Sequence, residues 1–164
     1  SLMFNKKIAK SEDAALALNA ALRLLTRREY SLYELKVKLL PRFTHDAVNT
    51  ALTKCINEGW QSEKRCAQML LRHCVFSYYG PLKLSLLARQ KHIDTCHIEH
   101  AVEDEETDWV QTALAALQKK YSADDLRDPE KKQKALSFLY RRGFTPNQCI
   151  GALKLFGSVP SDNV

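Results

Sequence analysis

Helix stop and start signals, repeated about every fifty residues, constrain this chain more than any other feature. The clearest is Tyr79-Gly80-Pro81. A glycine there suits the left-handed conformation that ends a helix, and a proline suits the first position of the next, so the pair reads as a corner between two helices. Beyond it Leu82, Leu84, Leu86 and Leu87 form a mostly apolar segment beside Lys83, Arg89 and Lys91. Leu35, Val37, Leu39 and Leu40 stand at the same spacing, with Lys36 matching Lys83 and Arg42 matching Arg89, and a looser copy runs through Leu136, Phe138, Leu139 and Arg141. Thr44, Asp94 and Thr145 follow the three copies as capping residues. Such a period is long for a helix pair and suits three short helices with their turns.

The remaining punctuation agrees. A first helix starts between Ser11 and Ala14, with Leu16, Ala17, Ala20, Ala21, Leu24 and Leu25 at helical spacing and Arg27 and Arg28 in its last turn. Ser31-Leu32-Tyr33-Glu34 is a capping box opening a second helix, which Pro41 ends. The third helix starts at Thr44, turns Val48, Leu52, Cys55 and Ile56 inward and stops at Gly59. Ser62 caps a fourth, striped by Cys66, Met69, Leu70, His73 and Cys74. A helix from Asp94 to about Glu105 and one built on Trp109, Val110, Ala113, Leu114 and Leu117 come next, then a polar linker at 122–128. Asp128-Pro129 opens a helix ending in Arg141-Arg142-Gly143, and Thr145-Pro146-Asn147-Gln148 is a second capping box before a last helix to about Phe156. Trp60 and Trp109 fall near repeat junctions, where core filling is expected.

No strand pattern emerges. The expected fold is all-α: nine helices in three tandem three-helix repeats, 14–60, 61–106 and 107–157, forming an elongated array curved to either hand. A basic leader (1–13) and a flexible tail (158–164) are expected to flank it. Ser1 and Leu2, ahead of Met3, read as a cloning remnant.

Composition excludes several function classes. No apolar run approaches the roughly 18 residues that cross a bilayer, so a cytoplasmic protein is expected, and without a long heptad seam, a monomer. The five cysteines are odd in number and contain no C-x-x-C pair, which argues against a disulfide framework or a zinc ribbon; reduced, packed thiols are expected. Cys96 and His100 sit one turn apart, but two ligands do not close a metal site. There is no G-x-x-x-x-G-K-[ST] loop, no nucleophile beside a base and no carboxylate pair, so neither an enzyme nor a cofactor is expected. The net charge of +6 is unevenly spread: 16 lysines and arginines face 8 acidic residues up to position 98, and 9 face 11 after it. A basic surface in the first two repeats suits a polyanion or an acidic protein groove. The run Glu99, Glu103, Asp104, Glu105, Glu106 and Asp108 is either a solvated surface or a device that repels nucleic acid. Tyr78 and Tyr79 offer faces for base stacking, though a helix end suits them more for packing a corner.

Four stretches stand out together: Arg27-Arg28-Glu29-Tyr30-Ser31-Leu32-Tyr33-Glu34-Leu35; Asn57-Glu58-Gly59; Tyr79-Gly80-Pro81 through Gln90-Lys91-His92-Ile93; and Phe138-Leu139-Tyr140-Arg141-Arg142-Gly143-Phe144. In this order and spacing they resemble the RecX family of bacterial recombination regulators. The resemblance covers about residues 14–157. It departs from the family pattern at Leu86-Leu87, at His92, where the family has glycine, and at Lys64-Arg65-Cys66. It implies a modulator, mainly an inhibitor, of RecA, which binds the RecA filament on single-stranded DNA and restrains its ATPase and strand exchange in repair, recombination and the SOS response. Direct DNA binding outside the filament is expected to be weak. Candidate contacts to RecA or DNA are Arg27, Arg28, Lys36, Arg42, Arg65, Arg72, Lys83, Arg89, Lys91, Arg141 and Arg142, with Arg42, Arg89 and Arg141 read as a recurring series after the second helix of each unit. Read from the residues alone, each of those three serves equally well to complement its own helix end. A free-standing, nonspecific nucleic-acid-binding repeat protein is the alternative.

Overall fold

The computed structural model describes residues 9–158. Among them nine α-helices follow in order: α1 (Ala14–Leu25), α2 (Leu32–Leu39), α3 (His45–Asn57), α4 (Glu63–Phe76), α5 (Pro81–Gln90), α6 (Thr95–Asp104), α7 (Trp109–Lys120), α8 (Pro129–Arg141) and α9 (Pro146–Ser158). A turn of 3-10 helix at Asp124–Arg127 interrupts the stretch that composition marks as linker. The described residues form no strand, only one isolated bridge between Ser11 and Phe43. That bridge ties down the end of the expected leader: Ser11 N donates to Arg42 O, and Ser11 O accepts from Thr44 N, each at 2.9 Å. Residues 1–8 of the leader and 159–164 of the tail lie outside the described residues, and Ser158 closes α9.

The caps explain the boundaries. Asp13, Thr44, Asp94, Asp108 and Asp128 each accept amides of the first turn that follows them, and Ser62 Oγ takes Arg65 N at 3.1 Å. Both capping boxes form: Glu34 accepts from Ser31 N at 3.0 Å, and Gln148 from Thr145 N at 2.9 Å. The end of α1 departs from expectation. Thr26 is its C-cap, donating its hydroxyl to Arg23 O, so Arg27 and Arg28 lie beyond the helix.

The chain divides into two compact units, one running to Cys66 and including Lys91–Ile93, the other comprising Ala67–Gln90 and the chain from Asp94 onward. In the first, α1 packs on α3 through Ala17, Ala20 and Ala21, whose small side chains allow a close approach, over Leu35, Leu39, Phe43, Val48, Leu52 and Cys55. In the second, α7 packs on α9 in the same manner through Ala113, Ala116 and Ala152, with Leu117, Leu139, Phe144 and Phe156 completing the core. Cys96 is exposed, unlike the other four cysteines, and Trp60 is 41% exposed rather than filling a core, as are Ile56 and Leu16 in part.

Burial also resets the repeat register. The buried pairs are Leu35 and Leu39 in α2, Leu84 and Ala88 in α5, Ala135 and Leu139 in α8, each followed by a buried residue just before the next cap: Phe43, Ile93, Phe144. Leu35 therefore corresponds to Leu84, not to Leu82, which is 56% exposed. A string of alternating leucines can be laid on a helix in two registers, because residue type does not say which face turns inward. Arg42, Arg89 and Arg141 are thus not equivalent. Arg89 lies within α5, Arg141 ends α8, and Arg42 stands three residues past α2.

The Gly80 corner forms, but not by a left-handed glycine. The positive φ belongs to Tyr78 (61°), and similar values recur at His92 (54°), Glu106 (50°), Gly59 (73°) and Gly143 (94°), each just past a helix. Gly80 is instead a site of close backbone approach. Its N–H donates to Arg142 O at 2.7 Å, and Leu82 N donates to Gly143 O at 2.9 Å.

Candidate nucleic-acid interface

The eleven candidate cations sort by what their heads touch. Glu34 gathers two of them: Arg28 Nη2 at 2.8 Å and Lys91 Nζ at 2.9 Å. Burial raises the Glu34 pKa, but Arg28, the Ser31 amide and Lys91 outweigh it and hold the carboxyl at about 2. The Arg28 guanidinium also stacks 3.6 Å over Tyr30. Ser31 Oγ donates to Lys91 O at 2.7 Å, and the His92 ring lies flat on Tyr33, 3.5 Å between centroids. Arg28 and Lys91 therefore lock the turn after α5 onto the first turn of α2.

Arg142 has the same task one repeat later. It donates to Tyr78 O at 3.1 Å and to Ser77 O, carbonyls of the turn just past α4, and covers the Tyr79 ring at 3.7 Å. Arg65 pairs with Glu29 at 2.8 Å and donates to Gly59 O at 2.8 Å, and Arg72 pairs with Glu105 at 2.8 Å. Lys83 leans on Tyr79 at 5.4 Å. Tyr79 accordingly packs a corner under two cations.

Arg27, Lys36, Arg42, Arg89 and Arg141 are exposed and form no ion pair among the described residues. Two of these, Arg27 and Arg42, meet at one place together with Arg23 and Lys38, which the sequence reading passed over. The four line a cleft of about 230 Å³ between α1 and the end of α2, floored by Ala20, Leu24 and Leu39. Arg23 and Arg42 also border a neighbouring cleft of about 450 Å³ with Ser11, Leu16 and Phe43, and no acidic residue lines either. The Arg42 backbone is fixed on both sides, its N–H on Leu39 O at 3.0 Å and its carbonyl taking the Ser11 amide. Four positive heads around a groove that offers no carboxylate suit a phosphate chain. The signal that could have found Arg23 and Lys38 is their spacing: Arg23 and Arg27 are four apart, as are Lys38 and Arg42. No group of three or more potential metal ligands occurs among the described residues.

Comparison with known proteins places this geometry in a family. Residues 17–55 match the first three-helix domain of RecX, and residues 106–153 match the third. The regulatory protein RecX of Legionella pneumophila (strain Corby) is 40% identical over 129 residues, 78% of this chain and 86% of that protein. The chain belongs to the RecX family. Further relatives of the same name are 34% identical in Xanthomonas axonopodis pv. citri (strain 306), over 82% of this chain and 83% of that protein, and 30% identical in Haemophilus influenzae (strain PittEE), over 82% and 91%. The crystal structure of RecX from Lactobacillus salivarius superposes with a TM-score of 0.76 at 22% identity, covering 88% of this chain and 96% of that one. A second RecX crystal structure gives 0.71 at 20% identity, over 87% and 72%. The fold is thus a RecX-type array of three-helix repeats, in a family of regulatory proteins. No helix among the described residues is long and apolar enough to cross a membrane.

Proposed function

We propose that the chain is a modulator, mainly an inhibitor, of RecA that engages the RecA filament on single-stranded DNA and restrains its ATPase and strand exchange in the cytoplasm. Family membership carries the regulatory role. The cleft of Arg23, Arg27, Lys38 and Arg42 supports the nucleic-acid half of the reading, because its cations are not spent on holding the fold. Arg28, Lys91 and Arg142 are so spent, and contribute by keeping the repeats in shape.

The test measures RecA ATPase on single-stranded DNA against protein concentration, for the native chain and for the Arg23→Gln/Arg42→Gln pair, beside binding to naked strands at physiological salt. The expected outcome is inhibition by the native chain, weakened several-fold in the pair at unchanged melting temperature. Tight binding to naked strands with no effect on RecA would instead make this a free-standing nucleic-acid binder. Undiminished inhibition by the pair would move the DNA contact to Lys36, Arg89 or Arg141.

A further inference from the structure

The second unit carries a groove of opposite character. The last turn of α4 presents Phe76, 86% exposed, and Val75 to a hollow of about 520 Å³ closed by the turn Glu105–Asp108 and the start of α7. A phenylalanine so exposed forfeits the burial that normally stabilises it, about 1.5–3 kcal/mol, unless something covers it. The hollow's rim is acidic. Glu105, Glu106 and Asp108 line it against a single cation, Arg72, which Glu105 already holds. Asp108 is oriented as the cap of α7, accepting from Val110 N and Gln111 N, and Glu106 stands exposed without an ion pair among the described residues. In a chain of net charge +6, this wall retains one carboxylate without a partner among the described residues, Glu106, and the second oxygen of the capping Asp108 beside an uncovered aromatic ring.

We propose that this groove docks a polypeptide segment of a partner protein that carries one bulky apolar side chain flanked by lysine or arginine. The ring of Phe76 and the flank of Val75 receive the apolar anchor, and Glu106 and Asp108 receive the cations. A phosphate backbone is repelled there, so the surface is protein-facing, in contrast to the α1–α2 cleft. The proposal goes beyond the RecA reading and stands without it, since its test contains no RecA.

The probe is a fluorescein-labelled peptide, Lys-Lys-Phe-Leu-Lys-Lys, titrated into the full chain, with Lys-Lys-Ser-Ser-Lys-Lys and Glu-Glu-Phe-Leu-Glu-Glu as comparisons. The basic apolar peptide should bind, and the other two at least about tenfold more weakly. Phe76→Ser, which changes an exposed side chain and should leave the melting temperature alone, and Glu106→Lys should each weaken binding by about tenfold. No binding at millimolar peptide, equal binding of the serine peptide, or affinity unchanged in Phe76→Ser would each overturn the assignment.

Discussion

Replacing Gly80 by alanine tests the junction on which α5 is built. A Cβ at this position would stand 2.5 Å from Gly143 C and 2.6 Å from Phe144 N, with the Gly143 carbonyl oxygen nearer still. All three are backbone atoms, and the two hydrogen bonds from Gly80 N and Leu82 N hold them there. Relief requires the turn after α8 to retreat, which loosens both bonds and the Arg142 contacts to Ser77 O and Tyr78 O. Overpacking of this kind costs about 1–3 kcal/mol or more, a fall of about 2–12 °C in melting temperature for a chain this long. Two controls separate crowding from conformation. Gly59→Ala has open space but φ of +73°, so it should incur only the left-handed penalty of about 1–2 kcal/mol. At Gly157, helical with nothing within 4 Å, alanine should be neutral or stabilise by a few tenths of a kcal/mol. Differential scanning calorimetry of the three variants gives the order. A Gly80→Ala melting point equal to that of Gly157→Ala would refute the close approach, and with it the account of the corner.

Glu34→Gln should destabilise at neutral pH and lose its effect in acid. The Glu34 pKa lies near 2 in the fold against an ordinary 4.5, so its contribution is complete above about pH 4.5 and vanishes as pH falls toward 2; a ceiling of about 3 kcal/mol, reduced by solvent screening to about 1–2, is read from melting curves of both proteins across that window. Thiol labelling of the native protein should modify Cys96 alone. Burial pushes the Cys66 thiol up to about 12 and those of Cys74 and Cys149 to about 11, and Cys55 is also buried and raised, so mass spectrometry after brief alkylation should find one adduct, and five only after unfolding. At His92, alanine keeps the left-handed cost and loses the stack on Tyr33, whereas glycine removes about 1 kcal/mol of strain while losing the same stack; thermal melts should rank His92→Ala below His92→Gly.

Helix boundaries were legible because capping is local: Ser31 with Glu34, Thr145 with Gln148 and the aspartates before α1, α6, α7 and α8 act within four residues of themselves. What the sequence could not show is which motif meets which. Ser31 and Glu34 bind Lys91, and Gly80 binds the Arg142-Gly143 turn, so three of the four stretches that carry the family resemblance meet in two matching junctions. On sequence alone their cations Arg28, Lys91 and Arg142 stand among the candidate partner contacts, because a motif marks constraint without saying whether packing or binding imposes it. Conversely Arg23 and Lys38, in no motif, became visible only when α1 and α2 were folded against each other. The register of the repeat failed for a related reason. Leu82 and Leu86 look like core residues by type, and only the neighbours of α5 decide that Leu84 and Ala88 turn inward.

The partition of cations makes one further quantity calculable. A cation already held by a carboxylate or a carbonyl releases no counterion when a strand arrives unless that contact breaks, so paired residues should not add to the salt dependence of binding. Each phosphate neutralised on a single strand contributes about 0.7 to the slope of log K against log salt. If the four cations of the α1–α2 cleft form the whole contact with naked single strands, the slope is about −3, although the chain carries 25 lysines and arginines. Removing Arg23 and Arg42 should bring it to about −1.5, whereas Arg142→Gln should lower the melting temperature and leave the slope where it was. Fluorescence anisotropy of a labelled oligonucleotide between low and physiological salt supplies the number. A native slope much steeper than −3 would mean that Lys36, Arg89 or Arg141 also grip the strand. A slope that falls in Arg142→Gln at a temperature where the variant is folded would mean that this guanidinium leaves the carbonyls of Ser77 and Tyr78 to reach the DNA, and the division between structural and binding cations would be wrong.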